Sequence, residues 1–136
     1  LVGSEMCIRD RESGVCDIIR DNGMMCVNVL RAEQAYISDA FSGRLTDPNA
    51  DPFACTHWET AVTGAPVMSK ALVNLDCRIK NELHHGTHYI FVGEIESLRL
   101  NQPGTPLVYR ARMYEQLGES GSLSLEDMEY SWERYT

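Results

Sequence analysis

Apolar and polar residues alternate from Ala71 to Ile79, with Ala71, Val73, Leu75, Cys77 and Ile79 on one side and Asn74, Asp76 and Arg78 among those on the other. A period of two marks a β-strand. The run GTHYIFVGEI, from Gly86 to Ile95, is the most strand-like in the chain, and a connection over Asn81 to Gly86 joins the two runs into a long hairpin. Gly93 lies inside the second run. Glycine weakens a strand, so it marks either a bend at a barrel corner or a ligand lying close to the backbone. Met24 to Leu30 forms a further strand, with Met25, Val27 and Val29 on one face and Cys26 and Asn28 on the other. Asn28 shares its face with Met24, Cys26 and Leu30. A buried amide needs partners, so Asn28 either ties neighbouring backbone together or reaches a ligand.

Two segments carry helical spacing. Ser13 is an N-cap for a helix with Val15, Ile18 and Ile19 on one face and Asn22-Gly23 as its stop. Glu33 to Phe41 places Ile37, Ala40 and Phe41 at i, i+3 and i+4 on one buried face, and Ser42-Gly43 ends it. Residues 44–56 hold Pro48 and Pro52 among Asp47, Asn49 and Asp51, which is loop chemistry. A loop this long suits a role at a site or at a dimer contact. His57 to Thr60 is too short to classify, and Thr63 to Pro66 is a turn. Leu107-Val108-Tyr109 is the last short strand. If its geometry continued, Arg110, Arg112 and Tyr114 would point one way, either as an anion grip or as a solvated strand face.

The 136 residues bound a single domain. Residues 1–11 have no periodicity, and the Cys7-Ile8-Arg9-Asp10-Arg11 string looks like translated adapter sequence. They are read as a non-native leader and left out of the fold. The domain is expected over residues 12–115. Residues 116–136 form an acidic tail or arm, with Leu125, Met128 and Trp132 spaced to pack on the body or a partner subunit.

A formal charge of -8 argues against a nucleic-acid surface, and no apolar run approaches the roughly 20 residues a membrane helix needs. The five cysteines are odd in number and include no CxxC pair, which fits core thiols in a reducing cytoplasm better than a disulfide framework. His84, His85 and His88 lie close together, but without HExxH or CxxC no metal site is expected. Neither GxSxG nor a Rossmann or Walker glycine loop is present. By pattern alone the chain is a mostly-β domain with a candidate anion site.

A set of segments resembles one family in order. CVNVL at Cys26 to Leu30, AEQ at Ala32 to Gln34, FSG at Phe41 to Gly43, Trp58-Glu59, TGAPV at Thr63 to Val67, ALVNLDCRI at Ala71 to Ile79, GTHYIFVGEI, and PLVYRARMY at Pro106 to Tyr114 look like the flavin reductase family. These are the small reductases of two-component flavin monooxygenases, such as that of 4-hydroxyphenylacetate 3-monooxygenase. The resemblance covers roughly residues 13–114. It implies a mainly β fold with short helices, an FMN-binding split β-barrel, here incomplete at the N-terminus because the family's opening strand, SVS-like stretch and Pro-Pro turn are not in this chain.

It also implies a homodimer that binds FMN or FAD, reduces it with NADH or NADPH, and passes reduced flavin by diffusion to an oxygenase component. The cofactor carries that chemistry while the protein positions it. The alternative is a non-catalytic flavin- or haem-binding split-barrel module. Carried over by motif, Ser13 falls near the flavin phosphate, Asn28 in the strand approaching the flavin, and Phe41 beside the cofactor. His88 matches the histidine of the GxHxxxxGxV pattern near the nicotinamide, as a positioning and hydrogen-bonding group. Arg112 and Tyr114 fall near the pyridine nucleotide or flavin.

Overall fold

The computed structural model of the chain describes residues 4–10, 14–44, 47 and 49–117, the first of these stretches by its backbone path alone. Its chain order is β1 (Ser4–Asp10), α1 (Gly14–Asn22), β2 (Met24–Val29), a 3-10 turn (Ala32–Gln34), α2 (Ala35–Phe41), a 3-10 turn (Pro52–Cys55), β3 (Trp58–Thr60), β4 (Pro66–Met68), β5 (Val73–His85), β6 (His88–Leu100), β7 (Leu107–Arg110) and β8 (Met113–Gln116). The fold is mainly β with short helices, as the pattern predicts. One antiparallel sheet runs β1-β6-β5-β2, flanked by the small hairpins β3–β4 and β7–β8. No described helix is long and apolar enough to cross a membrane.

The predicted hairpin is longer than the alternation indicates. β5 and β6 pair from Val73↔Leu100 to His85↔His88, closed by the two residues Gly86 and Thr87. Gly86 has φ 59°, the left-handed value that the first position of such a turn requires. Residues 4–10, left out of the fold by their lack of pattern, pair along the outer edge of β6 from Ser4↔Glu94 to Asp10↔His88. An unpaired strand edge is a template for any extended segment, which is why periodicity is a poor guide there.

Directly opposite residues on paired strands share a face. On one face Met25, Cys77 and Phe91 are buried under α1, together with its Cys16 and Ile19. Ile18, expected to join that face, points outward and Cys16 takes its place. The same face continues through two aliphatic rungs, Val27–Leu75–Leu98 and Val29–Val73–Leu100, and ends in the open, with Leu100 72% exposed. The opposite face carries Asn28, Asn74 and Asp76 and is covered by β4 and α2. There Ile37, Met68 and Ala71 make a second small core.

Gly93 is buried between β5 and β1, beside a register shift at Ile79/Asn81. A Cβ there would stand 3.0 Å from the Cys77 Cβ and 3.5 Å from the Met25 Cε. The close approach that glycine permits is made by the protein's own core at a bulge.

The last hairpin differs from the expected single strand. β7 stops at Arg110, and Ala111 and Arg112, at φ 52° and 66°, turn the chain into β8. This breaks the expected alternation. Tyr114 pairs with Tyr109 on one face, while Arg110 lies on the other and binds Glu115 at 2.8–2.9 Å. Arg110, Arg112 and Tyr114 therefore do not form one grip. Two left-handed residues without glycine cost stability. Replacing Ala111-Arg112 with Asn-Gly is expected to stabilise the domain by about 1 kcal/mol, read as a higher denaturant midpoint at unchanged slope.

Candidate functional site

The buried face of the sheet is built around a chain of amides. Asn28 Oδ1 accepts from the Met68 N–H at 2.9 Å and from Asn74 Nδ2 at 2.7 Å, and Asn28 Nδ2 donates to the Pro66 carbonyl at 3.2 Å. Asn74 Nδ2 also donates to the Met68 carbonyl, and its Oδ1 accepts from Asn101 Nδ2 at 2.9 Å. Asn74 and the neighbouring Asp76 are only 2% and 1% exposed. Asp76 accepts from the Thr63 N–H at 2.9 Å and from the Thr63 hydroxyl. Every buried side-chain polar atom among the described residues has a partner, as buried polar groups require. Of the two readings of Asn28, the hydrogen bonds realise the tie: it fastens β2 to β4 and β5.

Cys26 sits beside this chain, its Sγ 3.6 Å from Asn28 Oδ1. Burial, and after it the Asp76 charge, pushes its thiol up to about 12. Thiolates, not thiols, are alkylated. Native protein treated with iodoacetamide at about pH 8.5, where an ordinary cysteine is half ionised, should leave Cys26 unmodified by peptide mass mapping, whereas denatured protein should not.

A second cluster surrounds the C-terminal end of α2. The Arg44 N–H returns to the Asp39 carbonyl at 3.2 Å across Gly43, whose φ is 77°; this closes the helix in the usual glycine-terminated way. The Asp39 carboxylate then takes both Tyr114 Oη at 2.7 Å and Arg44 Nη1 at 3.2 Å, and Arg44 Nη2 donates to Tyr109 Oη at 3.0 Å. Those contacts, the one to Tyr109 foremost, raise the Arg44 pKa above its ordinary value. The β7–β8 hairpin is thus latched to α2.

On the same helix end Phe41 does not enter the core as its spacing predicts. It packs edge-on against Phe53 at 5.0 Å and Trp58 at 5.8 Å, and both phenylalanines remain 45% exposed. The three rings form an aromatic shelf, with Trp58 Nε1 fixed to the Phe53 carbonyl at 2.9 Å.

Of the residues singled out from sequence, Phe41 lies on α2 and Tyr114 binds that helix through Asp39, and Arg112 stands exposed at the nearby hairpin tip with no carboxylate partner among the described residues. His88 does not join them. It lies exposed at the far tip of β5–β6, its Nδ1 2.9 Å from Thr87 Oγ1. Asn28 faces Asn74, which faces Arg99, and β6 from Arg99 back to His88 is about 36 Å of strand at the usual rise per residue. His84 and His85 are exposed there too, His84 stacked on Tyr89 at 4.8 Å. No metal-binding cluster occurs among the described residues. Ser13 lies outside the described residues, as do residues 118–136 of the tail or arm expected over residues 116–136; Gln116 belongs to β8.

Sequence reasoning missed Asn74, Asn101, Asp76 and Asp39 as parts of these clusters. Asn74 and Asp76 carried a signal, since polar residues recurring at every second place in an otherwise apolar strand mark a face that needs polar partners. Asp39 carried none, because Tyr114 lies 75 residues away.

The family model described as "Flavin reductase like domain" matches residues 5–118. The chain belongs to the flavin reductase family. An FMN reductase (NADH) RutF from Stutzerimonas stutzeri is 36% identical over 111 residues, which are 82% of this chain and 63% of that protein. The counterpart from Acinetobacter baylyi is 35% identical over 105 residues, 77% of this chain and 55% of its own length. The chain thus spans less than two thirds of these curated relatives.

Among solved structures, the flavin reductase PheA2 superposes with a TM-score of 0.75 at 26% identity, over 85% of this chain and 71% of that one. Nitrilotriacetate monooxygenase component B from Mycobacterium thermoresistibile shares the fold, with a TM-score of 0.80 at 22% identity over 89% and 67%. The architecture is that of the family's split β-barrel.

Proposed function

We propose that this domain reduces flavin with a nicotinamide nucleotide, FMN and NADH being the pair named for the similar RutF proteins. The observation that carries the reading is the family match over residues 5–118. The side chains suit the group. A half-exposed aromatic shelf at Phe41, Phe53 and Trp58 offers face and edge to a planar ring, and Arg112, which no described carboxylate engages, offers a fork to phosphate. A flavin held there would supply the hydride-accepting chemistry, and the chain's own part would be to hold and orient it. Phe41 packs the ring, Asn28 holds β2 and β4 at fixed spacing beside it, and Tyr114 keeps the β7–β8 hairpin on α2. Arg112, and Ser13 by family position, engage phosphate. His88 positions the nicotinamide.

His88 and Phe41 belong to opposite ends of one subunit, so we place them on one flavin through a homodimer, the hairpin tip of one copy serving its partner. Reduced flavin then leaves by diffusion for a separate oxygenase component; one protein of the same fold is itself a monooxygenase component. The test is anaerobic. Protein loaded with FMN should lose its oxidised-flavin absorbance on addition of NADH and turn over added free flavin. Absence of both flavin binding and NADH consumption, in this chain and in one extended to the relatives' length, sinks the reading. In the Asn-Gly variant of the 111–112 turn, added stability should come with weaker nucleotide binding.

A further inference from the structure

The chain is acidic, and its described cations are nearly all matched. Arg20, Arg44, Arg78, Lys80, Arg99 and Arg110 each meet a carboxylate. Arg31, Lys70 and Arg112 meet none among the described residues, and two of these three line one cleft. That cleft, of about 600 Å³, opens where the Ala32–Gln34 turn meets the segments after β4 and after β6, with Tyr36, Ser69 and Gln102 on its walls. Its volume lies within the range of small-molecule sites.

Arg31 is held rigidly. Its Nε donates to the Lys70 carbonyl at 3.2 Å, Nη1 to the Pro103 carbonyl at 3.3 Å, and Nη2 to the Gln102 carbonyl. A guanidinium has five N–H donors, so these three bonds leave one on each Nη. The carbonyls fix its position without neutralising its charge. A Cβ on Gly104 would collide with Nη1, so the loop is shaped to seat this side chain. Lys70 is exposed on the same wall, and Glu33 is the only carboxylate in the lining. Two cations against one anion leave a net positive cleft in a chain of charge -8.

Tyr36 adds an exposed ring, 55% accessible. The cleft also communicates with the core, since Asn101 on its wall continues the amide chain through Asn74 to Asn28.

We infer that this cleft binds the phosphate of a nucleoside monophosphate moiety, with Arg31 and Lys70 on the phosphate and Tyr36 against the base or ring. A preset guanidinium and a mobile ammonium are the usual complement of a phosphate monoester. The site is separate from the aromatic shelf and does not depend on reductase turnover.

The test is a titration of isotope-labelled whole chain with inorganic phosphate, then AMP, followed by amide shifts. Saturable shifts are expected at residues 69–71 and 101–103. Lys70→Gln, at an exposed position, should weaken phosphate about fivefold or more by removing one of two contacts. AMP should bind more tightly than phosphate, an advantage lost in Tyr36→Ala. Displacement of phosphate by FMN but not riboflavin would assign the flavin as source, and displacement by NADH the dinucleotide. Shifts spread over the surface, or a Lys70→Gln affinity equal to the parent's, would overturn the site and leave the reductase proposal standing.

Discussion

Asn28→Leu is expected to destabilise the domain by about 3 kcal/mol and lower its melting temperature by roughly 10 °C. The side chain accepts from the Met68 N–H and from Asn74 Nδ2 and donates to the Pro66 carbonyl. Leucine silences all three at once. The Met68 N–H is left without its acceptor beside a fully buried residue, and an orphaned buried donor costs about 1–3 kcal/mol by itself. Asn28→Asp keeps the acceptor but loses the donor to Pro66, so it should fall between leucine and the parent. Thermal melts of the three proteins decide. A leucine variant as stable as the parent would mean that the amide chain contributes nothing net.

The largest functional effect is expected at His88. His88→Ala should leave the melting temperature nearly unchanged, because the ring is exposed and, among the described residues, bonds to Thr87 alone. It should lower kcat/KM for NADH about tenfold while FMN affinity stays within about a factor of two, the pattern of a lost substrate contact. Equal loss of both would identify a structural histidine. Mixing carries the test further. Phe41→Ala and His88→Ala proteins, each impaired alone, should recover about a quarter of parental turnover when unfolded and refolded together, since half of the dimers then hold one site with both residues intact. No recovery would mean that Phe41 and His88 do not serve one flavin across subunits.

The strands were legible in the sequence wherever one face was apolar. β2, the core of β5 and the start of β6 follow directly from alternation, and the two helices from their spacing. The ends were not. β5 runs on to His85 through residues whose side chains are exposed on both faces and so carry no period, and β6 runs on to Leu100, past the run that alternation ends at Ile95. β8 was hidden because Ala111 and Arg112 make a turn without the glycine or asparagine that announces one. Ile18 and Phe41 went astray for a shared reason: spacing defines a helix face, but tertiary packing selects which edge of it is covered.

The site was legible only in part. Motif likeness named Phe41, Tyr114 and His88, yet Asp39, which joins Tyr114 to Arg44, depends on the meeting of α2 with a distant hairpin. The cleft of Arg31 and Lys70 was hidden likewise, since it becomes visible only once six of the nine described cations have been matched with their carboxylates.

The amide chain has one more effect, on strand alignment. The side-chain period in a sheet is two, so a slip of one residue between β2 and β5 would exchange the two faces of one strand. The aliphatic residues on the other face are a weak guard against such a slip, because Val27, Val29, Val73 and Leu75 tolerate one another in several pairings. Asn28 and Asn74 do not. They lie 46 residues apart and bond at 2.7 Å only when Asn28 stands opposite Asn74. A slip of one residue would set each amide against valine or leucine and strand it without a partner, so two asparagines act as a proofreading mark against that misalignment.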